Sequence, residues 1–464
     1  MNNIGKPAQN LFIYRLVVIK LAVKKMQSAK FHMILIFLAV LVGSFGLSPA
    51  ISSLMNYVTI ESRGRIALEG SVVTANSGSA NDIQLAVDQV ATAGGGTVYV
   101  PEGEWNFVEV GEPWQTVNIP AGVNVLGAPT VRDENDQVTE WKTVLQMPYD
   151  IPSNSIWFRI VGSSNPNQPA RFSDIKLVGY RSINPSSTTL HTAIYVLDVI
   201  DFRIDHSCFE HTTLGITIWG LQCRGVIDHC RLYNIYGFDV LTQYTRSNIL
   251  YGVQLHRGYW STGFDPTMSV LGQYTDYTVF IEDCYFSRWR HCVAGAHGSH
   301  YVFRYNTIDD DFGHFSLDVH GMRDTGSDRW GGRGAEIYEN RFINAIPDDF
   351  KTIFQNGGGC GVWFNNYIDN SYRSDGIVLY PEDYVPSSTW HLQDFYLWSK
   401  LGAWNPDWDG IPDGFTADRN VLADWSRSAG NRGDPNYPNV DPSWSIAGYT
   451  PYPYPHPLTL EAGS

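Results

Sequence analysis

The chain has 464 residues, with 47 acidic against 32 basic side chains (formal net charge −15), 43% hydrophobic and 14% aromatic content. Such a length and apolar content suffice for a large core, and so acidic a surface repels nucleic acid and anionic lipid at long range, which excludes a nucleic-acid binder. Six cysteines permit up to three disulfides without requiring any.

In chain order, the first 50 residues carry six basic groups (Lys6, Arg15, Lys20, Lys24, Lys25 and Lys30) and no acid. An apolar run over 31–47 follows these charges, and Ser48-Pro49-Ala50 supplies small residues behind it. That is the layout of a secretory signal peptide, with Met26 as its natural start. The run is shorter than the ~20 apolar residues of a membrane span, so the sequence predicts a protein that is secreted, extracellular or at the cell surface. Without residues 1–50 the chain holds 26 basic and 47 acidic residues, a net charge of −21.

Residues 81–105 read NDIQLAVDQVATAGGGTVYVPEGEW. Asn81 or Asp82 is placed to cap a helix in which Ile83, Val87, Val90 and Ala91 form one apolar stripe. Gly94, Gly95 and Gly96 end it, and residues 97–100 form a strand stopped by Pro101. The glycines follow the helix and no Gly-Lys-Ser/Thr occurs, so they do not make a phosphate loop. Strand-like pieces continue at 117–127, 143–147, 155–162 and 172–179.

From residue 200 a repeat emerges in the phrases FRIDHSCF (202–209), GVIDHCRL (225–232), VFIEDCYF (279–286), YVFRYNTI (301–308), AEIYENRF (335–342) and GVWFNNYI (361–368). Ser207, Cys230, Cys284, Asn306, Asn340 and Asn366 occupy one slot in it. Their spacings of 23, 54, 22, 34 and 26 predict one coil concealed in the long gap and an insertion in the 34. A self-match at this period marks a stacked-coil solenoid. Asn in such a slot passes side-chain hydrogen bonds from coil to coil, and Cys fills it as a small buried hydrophobe. The sharpest self-match joins RHCVAGAHG (290–298) to GHFSLDVHG (313–321). Alternation puts Cys292, Ala294, Ala296, Phe315, Leu317 and Val319 inside, with His297, Asp318 and His320 on the outer face as stacked neighbours. Beyond 370 the repeat fades, and the aromatic, proline-rich end (TPYPYPHPL, 450–458) is expected to lie along the coils.

The capping helix, the glycines and the strand at 81–105 resemble the opening of the pectin-lyase-like superfamily. The resemblance implies an all-β fold, a right-handed parallel β-helix over 51–370 with an N-terminal capping helix, and a C-terminal region over 371–464 packed on it. It also implies a polysaccharide substrate, bound along the outside of a parallel sheet. On that face the candidate catalytic residues are His297, His320, Asp318, Arg323 and Asp239, with Arg304, Trp219 and Trp330 for substrate binding.

Two chemistries stand open. A lyase needs a base for the proton α to a uronate carboxylate and a cation to hold that carboxylate, the roles of His297 or His320 and of Arg323. A glycoside hydrolase needs paired carboxylates, and Asp239 with Asp318 is the reasoned pair. The lyase is favoured. The polygalacturonase series of Asn-Thr-Asp, Asp-Asp, Gly-His-Gly and Arg-Ile-Lys is not present in its order, so a non-enzymatic glycan-binding surface protein is the third alternative. Separately, NPDWDGIPDGF (405–415) spaces Asn405, Asp407 and Asp409 by two, turns at Gly410 and adds Asp413. Oxygen ligands so spaced predict a structural Ca²⁺ loop.

Overall fold

Each apolar phrase is too short to bury its face alone, so it needs a like strand above and below it. A computed structural model of the protein shows this stacking. It describes residues 70–147, 154–162, 169–179, 191–234, 250–256, 271–272, 274, 277–309, 315–320, 331–343, 352–368 and 449–460, with the backbone alone at 352, 377–379, 392–397 and 421–423. The chain divides into two compact units, 1–60 and 61–464, and every described residue belongs to the second. The signal-peptide segment lies outside the described residues. No described helix is long and apolar enough to cross a membrane.

The described strands form parallel sheets of 11, 9 and 10 strands and one small antiparallel hairpin. One coil runs through Arg224–Asp228, Arg231–Tyr233 and Tyr251–His256, giving one strand to each sheet. The next runs through Thr278–Glu282, Tyr285–Ser287 and His291–Ala296 and pairs with the first, in parallel, on all three. This is a parallel β-helix. Because Arg224–Asp228 pairs directly with Thr278–Glu282, no coil is concealed between Cys230 and Cys284. The extra length lies in the connections on either side of Tyr251–His256. Strands Ile377–Leu379, Leu392–Leu397 and Val421–Ala423 continue the stack past residue 370.

The core is built of columns. Phe172, Ile204, Ile227, Ile281, Phe303, Ile337 and Trp363 are in register along the first sheet and are all wholly buried. At ~25 cal/mol per Å² of apolar surface, a buried side chain of this size stabilises by about 1.5–3 kcal/mol. The helix Ala80–Thr92 closes the first coils with Ile83, Val87 and Val90 inward. Its cap is Ser79, whose hydroxyl accepts from the Asp82 amide at 3.3 Å, rather than Asn81 or Asp82. Asp82 enters the first turn instead, where its charge suits the amide end of the helix.

The Ser/Cys/Asn slot is a buried ladder. The side-chain oxygens of Asn306, Asn340 and Asn366 accept from the amides of Cys284, Asn306 and Asn340 at 2.9, 2.9 and 3.0 Å. All six cysteines are free thiols and buried, as the small-hydrophobe reading of Cys230 and Cys284 requires. Immediately before the slot runs a column of left-handed turn residues: Asp174, His206, His229, Asp283, Tyr305, Glu339 and Asn365, with φ between 48° and 63°. Residues 449–460 cross the outer side of the first sheet. The Arg304 guanidinium donates to the Tyr452 and Pro453 carbonyls at 2.6 and 2.9 Å, the His456 amide donates to Glu282 at 2.8 Å, and Tyr454 stacks on Tyr305 at 3.7 Å.

Candidate functional site

The third sheet carries the candidate groove, and its register decides which side chains share it. Ile216, Val253, Val293, Leu317 and Phe354 lie in one column and belong to the core. Val319 continues the inward parity of Leu317, and Gly295 pairs with it. Ala294 therefore faces outward, against the expectation that Ala294 and Ala296 point inward. The cause is a bend near the start of each strand, where two successive residues turn into the core: Ala193 and Ile194, Cys292 and Val293, Ile353 and Phe354. After the bend the alternation is shifted by one.

Outward in successive coils stand Tyr195, Thr217, Gln254, Ala294, Asp318 and Gln355. Beside this row runs a second: Leu197, Trp219, His256 and Ala296. By the register of Gly295 with Val319, the residue level with His320 is Ala296, so His297 and His320 are not stacked partners. His297 instead turns back at φ 52° and lays its ring on His256 (centroids 4.6 Å, 27°), which stacks on Trp219 (4.7 Å, 13°). Ala296 is small enough to leave room for this.

Asp318 has no exposed surface, and its Oδ2 lies 3.0 Å from His320 Nε2. The contact is close enough for an ion pair but is not aligned as a hydrogen bond, and neither carboxylate oxygen accepts one. The carboxylate lies beside Nε2 of the ring, within reach of a proton carried there. The His320 side chain is 20% exposed, so the pair joins a buried carboxylate to an imidazole that reaches solvent. Gln355, level with Asp318, is likewise buried with Oε1 unpaired. Buried polar groups without partners are rare and call for an explanation. Burial lowers the His256 pKa to about 3, assisted by the nearby His297 and His320, so the middle ring of the stack is neutral.

Among the ten described strands of this sheet, Asp318 is the only acidic residue. Of the residues expected on this face, the structure brings together Trp219, His297, Asp318 and His320. Arg304 does not join them. It sits on the outer side of the first sheet with 0% exposure, ion-paired to Glu282 at 2.6 Å. Nearness in sequence had grouped it with Asp318, but the strands His300–Arg304 and Phe315–Val319 belong to different sheets. Asp239, Arg323, Trp330 and the Asn405, Asp407, Asp409 and Asp413 loop lie outside the described residues. His256 and Tyr195 carry no signal in the sequence, because their coils have no self-match to RHCVAGAHG; the register alone places them on this face. Arg159, exposed and 5.9 Å over the Tyr195 ring, extends the same row toward the start of the chain.

No protein-family model matches the chain, and no curated protein matches it. Among solved structures it is similar to ORF18 of Geobacillus virus E2 (12% identity over 76% of this chain and 61% of that one, TM-score 0.36). It is also similar to a mutant tailspike protein of E. coli bacteriophage HK620 in complex with a pentasaccharide (14%, 69% and 52%, TM-score 0.45). A third is the catalytic unit of a thermostable GH87 α-1,3-glucanase from Streptomyces thermodiastaticus strain HF3-3 (13%, 71% and 62%, TM-score 0.33). The chain thus spans 52% to 62% of the length of these three.

Proposed function

We propose that the outer face of the third sheet binds and cleaves an extracellular polysaccharide, and that the protein is a secreted uronate lyase. The observation that carries this reading is the Asp318–His320 pair. A buried carboxylate, the sole acid among the described strands of its sheet, orients a partly exposed imidazole as a base. His320 takes the proton α to a uronate carboxylate, and Asp318 stabilises the imidazolium that forms. The electron pair of the broken C–H bond becomes the new C=C bond, the C–O bond to the leaving sugar breaks, and that oxygen takes up a proton. The stacked rings of Trp219, His256 and His297 present their edges along the same face, beside the pair. A hydrolase would need a second carboxylate at about 5–9.5 Å from Asp318, and the lyase is preferred because the described strands pair the acid with an imidazole base.

In this reading Arg323 clamps the substrate carboxylate, Asp239 and Trp330 assist in catalysis and substrate binding, and the 405–415 loop holds a structural Ca²⁺. The test is a panel of uronate and neutral polysaccharides incubated with the chain from Ile51 onward, with and without Ca²⁺, scored for unsaturated and for reducing ends. Unsaturated ends on a uronate polymer are expected. Reducing ends alone would replace the lyase by a hydrolase, and neither product with any polymer would overturn the enzymatic reading. Calcium is expected to raise the thermal midpoint by several degrees, and an Asp407→Ala, Asp409→Ala variant to abolish that rise.

A further inference from the structure

A second cluster lies away from the third sheet, at the corner between the first and second sheets. The residues Asp205-His206 and Asp228-His229 repeat the same doublet 23 positions apart, and register places the two coils side by side. Both histidines occupy the left-handed turn column, with φ of 48° and 52°. Their rings stack at 4.8 Å and 12°. His206 Nδ1 lies 2.7 Å from the Asp205 carboxylate and His229 Nδ1 lies 3.0 Å from that of Asp228. A carboxylate only accepts, so both Nδ1 atoms carry the proton, and the lone pair of a neutral imidazole is then at Nε2.

Both Nε2 atoms face one oxygen. The hairpin of Val131–Arg132 and Val138–Glu140 reaches over the corner and sets Asp136 Oδ2 3.1 Å from His206 Nε2 and 3.9 Å from His229 Nε2. Asp136 Oδ1 is held by Arg132 at 3.2 Å, which leaves Oδ2 to the histidines. The two doublets are themselves braced. Arg171 holds Asp205 at 2.6 Å and Arg203 holds Asp228 at 2.8 Å, so neither carboxylate is free to swing toward the hairpin. The Asp136 side chain is 53% exposed, which gives an ion access from solvent.

We infer that His206, His229 and Asp136 form a binding site for a divalent transition cation of the Zn²⁺ class, clasping the hairpin to the β-helix. Two imidazole nitrogens and one carboxylate oxygen are a borderline-soft donor set that suits Zn²⁺ and not Ca²⁺ or Mg²⁺. The spacing is right: bonds of ~2.0–2.1 Å in a tetrahedral site put ligand atoms ~3.3 Å apart, and the three ligand atoms here already lie within 4.8 Å of one another. Asp205 and Asp228 behind the rings are the outer partners that fix the tautomer and orientation of metal-binding histidines. Three protein ligands leave a fourth position for water, on a face remote from the candidate groove.

The experiment uses the whole secreted chain, stripped with chelator and dialysed. Zn²⁺ binding is read by calorimetry and by metal content after dialysis, and Co²⁺ is added as a chromophoric probe. One equivalent of tightly held Zn²⁺, tetrahedral visible bands with Co²⁺, and no competition by excess Ca²⁺ or Mg²⁺ are expected. His206→Asn, His229→Asn and Asp136→Asn each keep a residue that tolerates the left-handed turn, as Asn365 does in its own coil. Each is expected to weaken Zn²⁺ at least tenfold, while the unstripped fold, read by circular dichroism, is unchanged. No equivalent of Zn²⁺ bound by the wild-type chain, Zn²⁺ held equally well by all three variants, or equal competition by Ca²⁺ would overturn the site. In the first case the corner is a histidine stack held by carboxylates alone.

Discussion

At the scale of single residues, the candidate groove turns on one buried carboxylate, Asp318, which meets the His320 ring without a hydrogen bond to either oxygen. A buried charge short of hydrogen bonds costs stability, so its removal has a sign that separates two roles. If Asp318 were a structural anchor, Asp318→Asn would lower the thermal midpoint. As a positioning residue for the His320 base, it is expected to keep or raise the midpoint. His256 gives a second prediction. Its folded pKa of about 3 lies below the ordinary value of 6.5, so between those values the unfolded chain binds the extra proton. Its contribution is complete above pH ~6.5 and is lost as pH falls toward 3, at about 1.4 kcal/mol per pH unit. Urea unfolding at pH 7, 5 and 4 is expected to show a shallower loss in His256→Phe than in the wild type; parallel losses would contradict the assignment. Trp219 and the Asp318–His320 pair were legible because alternation and self-match pointed at them. The partnership of His297 with His256 was not, because it depends on a turn at His297 that no periodicity encodes.

Elements show why the remainder was partly legible. The Asn ladder could be read directly, since only a polar residue that satisfies itself from coil to coil recurs in a buried slot. Its central member bonds in both directions: the Asn340 side chain donates to the Phe303 and Tyr338 carbonyls and accepts from the Asn306 amide. Asn340→Ala strands these groups and is expected to cost about 2–4 kcal/mol in denaturant unfolding; a loss below ~1 kcal/mol would show that the ladder is not a stabilising element. Strand phase was harder to read. The 23-residue match of His297 with His320 is a match of letters, whereas the ladder pairs Val293 with Leu317 and Gly295 with Val319, 24 apart. The Asp-His doublets were also on view in the ladder phrases, but their convergence needs Asp136, some 70 residues earlier, and only the fold supplies it.

For the whole molecule, a solenoid localises its contacts between neighbouring coils, so long connections on one side disturb little elsewhere. That is why the 54-residue spacing imitates a concealed coil in the sequence: the first and second sheets continue straight across it. The end of the chain, like the hairpin that carries Asp136, departs from local contact, because residues 449–460 return to Glu282, Asp283, Arg304 and Glu336. Arg304 and Glu282 are both wholly buried, and the segment supplies two carbonyls and an amide to them. Deletion of residues 449–464 is expected to expose this pair and lower the thermal midpoint by several degrees without abolishing the β-helix signature in circular dichroism. An unchanged midpoint would mean that the segment only rests on the sheet.

The most direct test of the proposed function is a comparison of Asp318→Asn with the wild-type chain on the uronate polymer that yields unsaturated ends, with the thermal midpoint measured on the same samples. The expected result is a fall in kcat of about 10²–10⁴-fold with the midpoint unchanged or raised. Turnover retained within about threefold, or a fall in activity that tracks a lowered midpoint, would contradict a catalytic role for the groove.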